Sequence, residues 1–181
     1  MQEGVYFITV CTQDQQCLFG EIVDGEIRLN DAWRMVQAVW EELSIHYPGV
    51  EGDGFVVMPN HFHGIIVIAD VTVGADLRVG PNSEGTHAGA PLHLPQIAPL
   101  STIVQWFKTM TTNEYMRGVK TQGWPPFHGK LWQGNYYEHV FRDDESLNRI
   151  RQYITDNPSR WAFDRENPAV TSPEPEKSWL T

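Results

Sequence analysis

A chain of 181 residues with 41% hydrophobic and 12% aromatic side chains is long enough for one domain with a real core and too apolar to be disordered. Its net charge of −10 argues against a non-specific nucleic-acid coat, which depends on Lys and Arg, although a local basic groove stays compatible with it. No run approaches the roughly 18 apolar residues of a membrane span. Met1-Gln2-Glu3-Gly4 leads straight into strand-like sequence with no signal-peptide shape. The two cysteines, Cys11 and Cys17, lack metal-finger spacing, so the chain reads as cytoplasmic with reduced thiols.

Val5-Tyr6-Phe7-Ile8-Thr9-Val10-Cys11-Thr12 is β-branched and aromatic, the signature of a buried strand. Cys17 to Leu29 reads as a hairpin, with Asp24-Gly25 as a tight primed turn. Asn30 or Asp31 caps a helix running to about His46. Its apolar positions Ala32, Val36, Val39, Trp40 and Leu43 make one buried stripe. Pro48-Gly49 ends it. Phe55-Val56-Val57-Met58 is a short strand, Pro59-Asn60 turns the chain, and His61 to Ile68 is the partner strand.

From about 70 to 99, glycines and prolines break every periodicity. A stretch of this length is either a disordered insertion or a mobile functional loop; His87 and His93 within it are not expected to be ligands. Leu100 to about Gly118 is a second helix, expected to be capped by Ser101 and carrying Lys108 and Arg117. Thr121 to Gly134 is a loop with Trp124, Lys130 and Trp132. Its aromatic residues either stack on unpaired bases or, the simpler reading, anchor the loop to the core. Tyr136 to Arg142 is a strand. Asp143-Asp144 then caps a helix to Asn157 that Pro158 halts, with Leu147, Ile150 and Ile154 as its core stripe. A helical turn with Trp161 and Phe163 follows. Residues 1–163 thus form one domain, and 164–181 a loose tail. The pattern β-α-β-β-α-β predicts an α+β, ferredoxin-like sandwich, an antiparallel sheet with helices on one face.

His61-Phe62-His63 carries the first hint of chemistry. Alternate residues of a strand share a face, so the two imidazoles point together while Phe62 points into the core. They are either half of a divalent-metal site or two surface histidines at a strand entrance. Tyr153 and Asn157 lie four apart on one helical face. Asn157 offers a hard oxygen ligand suited to Mg²⁺ or Mn²⁺. Tyr153 offers a nucleophile that is weak at its ordinary pKa of about 10 but competent where a metal neutralises developing charge. Attack on a phosphodiester would leave a phosphotyrosine and a free 3′ hydroxyl, reversible without ATP. Taken singly, each residue also fits a structural part: Tyr153 a half-buried helix tyrosine, Asn157 a helix end. A metallohydrolase using activated water would cut without an adduct.

Met58-Pro59-Asn60-His61-Phe62-His63 resembles the His-hydrophobic-His motif of the HUH single-strand DNA nucleases. Together with Val5-Tyr6-Phe7-Ile8-Thr9, Leu131-Trp132-Gln133, Glu138-His139-Val140-Phe141-Arg142-Asp143 and Tyr153-Ile154-Thr155-Asp156-Asn157-Pro158, it resembles the single-tyrosine transposases of the insertion-sequence 200-like superfamily. Within that group the likeness is to the REP-associated tyrosine transposases, over about residues 4–163 outside the insertion. The resemblance implies His61, His63 and Asn157 as metal ligands, Tyr153 as nucleophile, Mg²⁺ or Mn²⁺ as cofactor, and single-stranded DNA near imperfect palindromic hairpins as substrate. It implies a monomer or a homodimer, with no membrane partner. Lys108, Lys130, His139, Arg142, Arg149 and Arg151 are candidate DNA contacts, and Tyr136 and Tyr137 rival nucleophiles on a strand. Relatives of this kind carry a leader before the first strand, so a leader contact to DNA is expected to be missing. The alternative reading is a non-catalytic or domesticated hairpin-DNA-binding protein on the same fold.

Overall fold

Strand β1 (Gly4–Cys11) is the spine of the sheet, paired antiparallel on both sides. The computed structural model describes residues 3–24, 26–69, 98–171 and 173, so most of the segment expected as an insertion, with His87 and His93, lies outside the described residues, as do Gly25 and nearly all of the chain beyond 171. In chain order the elements are β1, β2 (Gly20–Val23), β3 (Glu26–Leu29), α1 (Asp31–Glu41), α2 (Leu43–His46), β4 (Val50–Val57), β5 (His61–Ile68), α3 (Leu100–Gln122), β6 (Tyr137–Phe141) and α4 (Asp144–Asp156), followed by a 3-10 segment, Asn157–Phe163. The main sheet runs β4-β5-β1-β6, all antiparallel, with β2-β3 a separate hairpin. This is the ferredoxin-like order the sequence pattern predicts.

The alternation of β1 divides the core in two. Tyr6, Ile8 and Val10 join Val36, Trp40, Phe62, Ile66 and Phe107 in one apolar cluster, which packs the sheet against α1 and α3. Phe7 joins Val56, Met58, Ile65 and Phe141 in a second cluster, completed by Ile150 and Ile154 of α4. The crossover helices therefore share one face as expected, and α4 lies across the other. Ile150 and Ile154 are 0% and 4% exposed, and burying each contributes about 2 kcal/mol to holding α4 there. Gly64 lets α1 sit close: a Cβ there would lie 2.6 Å from the Trp40 ring.

Local signals hold with some shifts. Asn30 caps α1, its Oδ1 accepting from the Trp33 amide at 2.8 Å. The helix expected to reach His46 is broken at Glu42 into α1 and α2. Ser101 does not cap α3. Pro99 precedes that helix, and its carbonyl accepts from the Thr102 and Ile103 amides at 2.9 and 3.1 Å; the helix begins at Leu100, which places Ser101 inside the first turn. The loop aromatics are anchors. Trp132 is 4% exposed and donates from Nε1 to Thr111 Oγ1 at 2.8 Å, and Trp124 packs on Gly118 and Tyr115. No helix among the described residues is long and apolar enough to cross a membrane.

Candidate active site

On the α4 face, β5 places His63 opposite Thr9 and His61 opposite Cys11. Both imidazoles are buried, and their Nε2 atoms stand 3.1 Å apart. Their outer nitrogens are held from behind. His61 Nδ1 meets Asn60 Oδ1 at 2.9 Å, and His63 Nδ1 meets Thr9 Oγ1 at 2.9 Å. The Asn60 amide is itself oriented, because Nδ2 donates to the carbonyls of Gln15 and Glu166. Its oxygen must therefore face His61 and accept the Nδ1 proton, which leaves the lone pair of neutral His61 on Nε2, pointing at His63. Such outer partners set which ring nitrogen is free to ligate. Burial pulls the His61 pKa down to about 3 and, with His61 beside it, pulls His63 well below the ordinary value. Both rings are thus neutral near pH 7, the form that binds metal.

A carboxylate completes the group. Asp164 Oδ2 is 3.6 Å from His61 Nε2, and one ligand atom from each of His61, His63 and Asp164 falls within 4.8 Å of the others. Asn157 is 2% exposed, and its buried Oδ1 has no hydrogen-bond partner among the described residues. Its chain neighbours bracket the histidines: Tyr153, one turn earlier, packs on His63, and Trp161 stacks on His61 with ring centroids 6.1 Å apart. Two imidazoles and a carboxylate form a group that fits a divalent cation, and the orphaned amide oxygen of Asn157 is a further hard donor. Burial and the neighbouring Glu166 push the Cys11 thiol up, which keeps it from serving as a thiolate ligand.

Tyr153 packs on His63 and Phe7 from α4. Its ring centroid is 5.5 Å from that of His63 and 6.3 Å from that of Phe7. It opens, with His63 and Asp164, on a cavity of about 350 Å³. Tyr136 and Tyr137 also line this cavity. Burial and Glu138 push Tyr136 up to about 12, so it is poorly suited to ionise.

The proposed basic contacts are placed elsewhere. Lys108 is 7% exposed, and its ammonium donates to the carbonyls of Gln133, Gly134 and Asn135 at 2.8, 3.2 and 3.1 Å; it braces a loop and offers nothing to a phosphate. Arg149 pairs with Glu145, and Arg151 with Asp53 through Nε at 3.0 Å. Lys130 and Arg142 are exposed, and none of these five lines the cavity. His139 lies opposite Phe7 in β6 and packs on Phe141. Sequence reading missed Thr9, Asn60, Asp164 and Glu166. Thr9 and Asn60 had a usable signal, the alternation along β1 and the position just before His61. Asp164 and Glu166 had none, since they were assigned to the tail.

No protein-family model matches the chain. It is 36% identical over 168 residues to an uncharacterized protein of Haemophilus influenzae, an alignment covering 90% of this chain and 84% of that protein. It shares the fold of a REP-associated tyrosine transposase solved bound to a REP hairpin, with a TM-score of 0.52 and 18% identity over 88% of this chain and 69% of that one.

Proposed function

The chain belongs to the same family as the Haemophilus influenzae protein, and from its site and fold we propose that it is a metal-dependent single-strand DNA transposase or endonuclease of the REP-associated tyrosine kind. The observation that carries this reading is the packing of Tyr153 on His63, 5.5 Å between ring centroids, beside a paired-imidazole and carboxylate group. Tyr153 Oη attacks a phosphodiester phosphorus. The new O–P bond replaces the P–O3′ bond, the strand stays attached through a 5′-phosphotyrosine, and the phenol proton ends on the released 3′ oxygen. The linkage conserves the bond energy, so a second 3′ hydroxyl can reverse the step and join a different strand. His61, His63 and an oxygen of Asp164 or Asn157 would hold a divalent cation, which when bound would supply charge neutralisation at the phosphate. Phe7 and Trp161 pack around Tyr153 and the histidines and limit water at the phosphotyrosine. The substrate is single-stranded DNA next to a hairpin, met in the cytoplasm by a monomer or a homodimer.

Labelled hairpin-bearing single strands incubated with the protein and Mn²⁺ should give an SDS-stable adduct. Tyr153→Phe should remove adduct and cleavage and keep hairpin binding. Unchanged cleavage by that variant would show that Tyr153 is not the nucleophile, and cleavage without any adduct would show hydrolysis by activated water.

A further inference from the structure

Strand β4 breaks its own alternation where α4 crosses it. Gly52 and Phe55 both face α1: a Cβ on Gly52 would lie 2.7 Å from Trp40 Nε1, and the Phe55 and Trp40 ring centroids are 6.1 Å apart. Residues three apart in a regular strand point to opposite faces. The pairing with β5 explains the exception. Gly52 stands opposite Ile66 and Phe55 opposite Gly64, so Asp53 and Gly54 together oppose Ile65, a β-bulge of one extra residue. Without that residue Asp53 would share the face of Phe55; with it, Asp53 is turned to the α4 side. There its Oδ2 accepts from Arg151 Nε at 3.0 Å and from Arg151 Nη2, while its Oδ1 accepts from the Gly54 amide at 2.7 Å. Gly54 lets the helix come close: a Cβ on it would lie 3.9 Å from Arg151 Cγ and 4.0 Å from Ile154 Cδ1.

Apolar contact alone would leave α4 free to slide. Its buried side chains, Ile150 and Ile154, hold by burial, which is non-directional. Several of its polar side chains bond within the helix: Arg149 to Glu145, Gln152 to Asp156, and Thr155 to the Arg151 carbonyl. The Arg151 guanidinium is a directional link from α4 to a strand, and it lies two residues from Tyr153. It is steadied on its own helix by Asn148, whose Oδ1 accepts from Nη1 at 3.2 Å. The Arg151 and Asp53 side chains are 45% and 29% exposed, and a pair so placed contributes little to stability. Its consequence is geometric. Attack needs the reacting atoms about 3–3.5 Å apart, and a misplacement of about 1 Å costs roughly 100-fold in rate. We infer that Asp53 and Arg151 are positioning residues: the β4 bulge aims Asp53 at Arg151, and the pair fixes the register of α4 on the sheet so that Tyr153 stays against His63. The attack by Tyr153 rests on the function proposed above; the registration of α4 stands apart from it.

Two measurements separate the two ideas. In the first, NOEs from the Tyr153 ring to the His63 and Phe7 rings are recorded for the full chain and for Asp53→Asn, Arg151→Met and Arg151→Lys, with backbone amide spectra to show that each variant is folded. Asp53→Asn keeps an acceptor for the Gly54 amide and removes the charge; Arg151→Met keeps the apolar stem. Both should lose NOE intensity between Tyr153 and His63, and Arg151→Lys should recover part of it. In the second, adduct formation with Mn²⁺ is timed at saturating hairpin-bearing strand. Asp53→Asn and Arg151→Met should each slow it about tenfold, and the double variant should be no slower than either single one, because the two act as one pair. Hairpin affinity should be unchanged. Arg149→Met, which removes a charge paired within the helix, should react at the unsubstituted rate. Weakened NOEs in the variants, with no adduct from any strand in the unsubstituted protein, would uphold the registration of α4 and overturn the strand-transfer reading. Unchanged NOEs would overturn the positioning role. So would single losses that multiply in the double variant, equal slowing by Arg149→Met, or slowing matched by lost hairpin affinity, which would make Arg151 a phosphate contact.

Discussion

Tyr153 of α4 packs against His63 of β5, with ring centroids 5.5 Å apart, although some ninety residues of chain, α3 and β6 among them, separate the two. The contact exists because α4 covers the sheet face opposite α1 and α3, through Ile150 and Ile154. Had α4 joined the other helices, the tyrosine and the histidines would lie on opposite sides of the sheet.

Metal binding should depend unequally on the candidate ligands. His61→Ala and His63→Ala should each abolish Mn²⁺ binding measured by calorimetry. Asp164→Asn and Asn157→Ala should separate the two oxygen donors: the one that ligates should lower affinity about 10–100-fold when replaced, the range for losing a supporting group at a metal site. If both leave affinity unchanged, the cation is held by the histidines and water alone.

Asn60→Ala removes the group that sets the His61 tautomer and leaves the Gln15 and Glu166 carbonyls unsatisfied. The expected loss is about 10–100-fold in metal affinity and about 1–3 kcal/mol in unfolding free energy. Denaturant melts without metal, set beside Mn²⁺ titrations, distinguish the two effects. A loss of stability with metal affinity intact would show that Asn60 braces the turn without orienting the ring.

The metal-free protein should lose stability on acidification in a window set by the two histidines. Their folded pKa values are depressed, His61 to about 3. Below the unfolded value of about 6.5 the unfolded chain takes up protons that the native chain refuses, so stability falls with pH by about 1.4 kcal/mol per unit for each ring that stays neutral. Chemical melts between pH 7.5 and about 4.5 should show the decline, and His61→Phe should reduce its slope by about half, leaving the contribution of His63. A profile level through that window would mean that the rings are protonated in the native state.

Lys108→Met should destabilise the protein by about 2–3 kcal/mol, because three carbonyls lose a charged donor. Lys108→Arg should recover little, since a planar guanidinium does not converge three donors on one point as an ammonium does. The same substitution should leave the salt dependence of hairpin binding unaltered, as measured by fluorescence anisotropy. A salt slope reduced by about one unit would instead mark Lys108 as a phosphate contact.

The amino-acid sequence by itself determined the order of the elements, the antiparallel sheet, the shared face of His61 and His63, and the single helical face of Tyr153 and Asn157. Those follow from local periodicity: two residues per repeat in a strand and 3.6 in a helix, fixed by covalent geometry. Only the tertiary structure decided that α4 crosses the histidine face, that Lys108 braces a loop, that Asn60 orients His61, and that Asp164 joins the two histidines. Asp164 comes after the 3-10 segment Asn157–Phe163, where the chain reverses onto the site through the Glu166 carbonyl and Asn60. That reversal depends on contacts between residues far apart in sequence, which no local spacing encodes. Lys108 shows the same limit: on α3 its spacing says only that a cation is present, and the loop carrying Gln133, Gly134 and Asn135 decides that it is buried and what it holds.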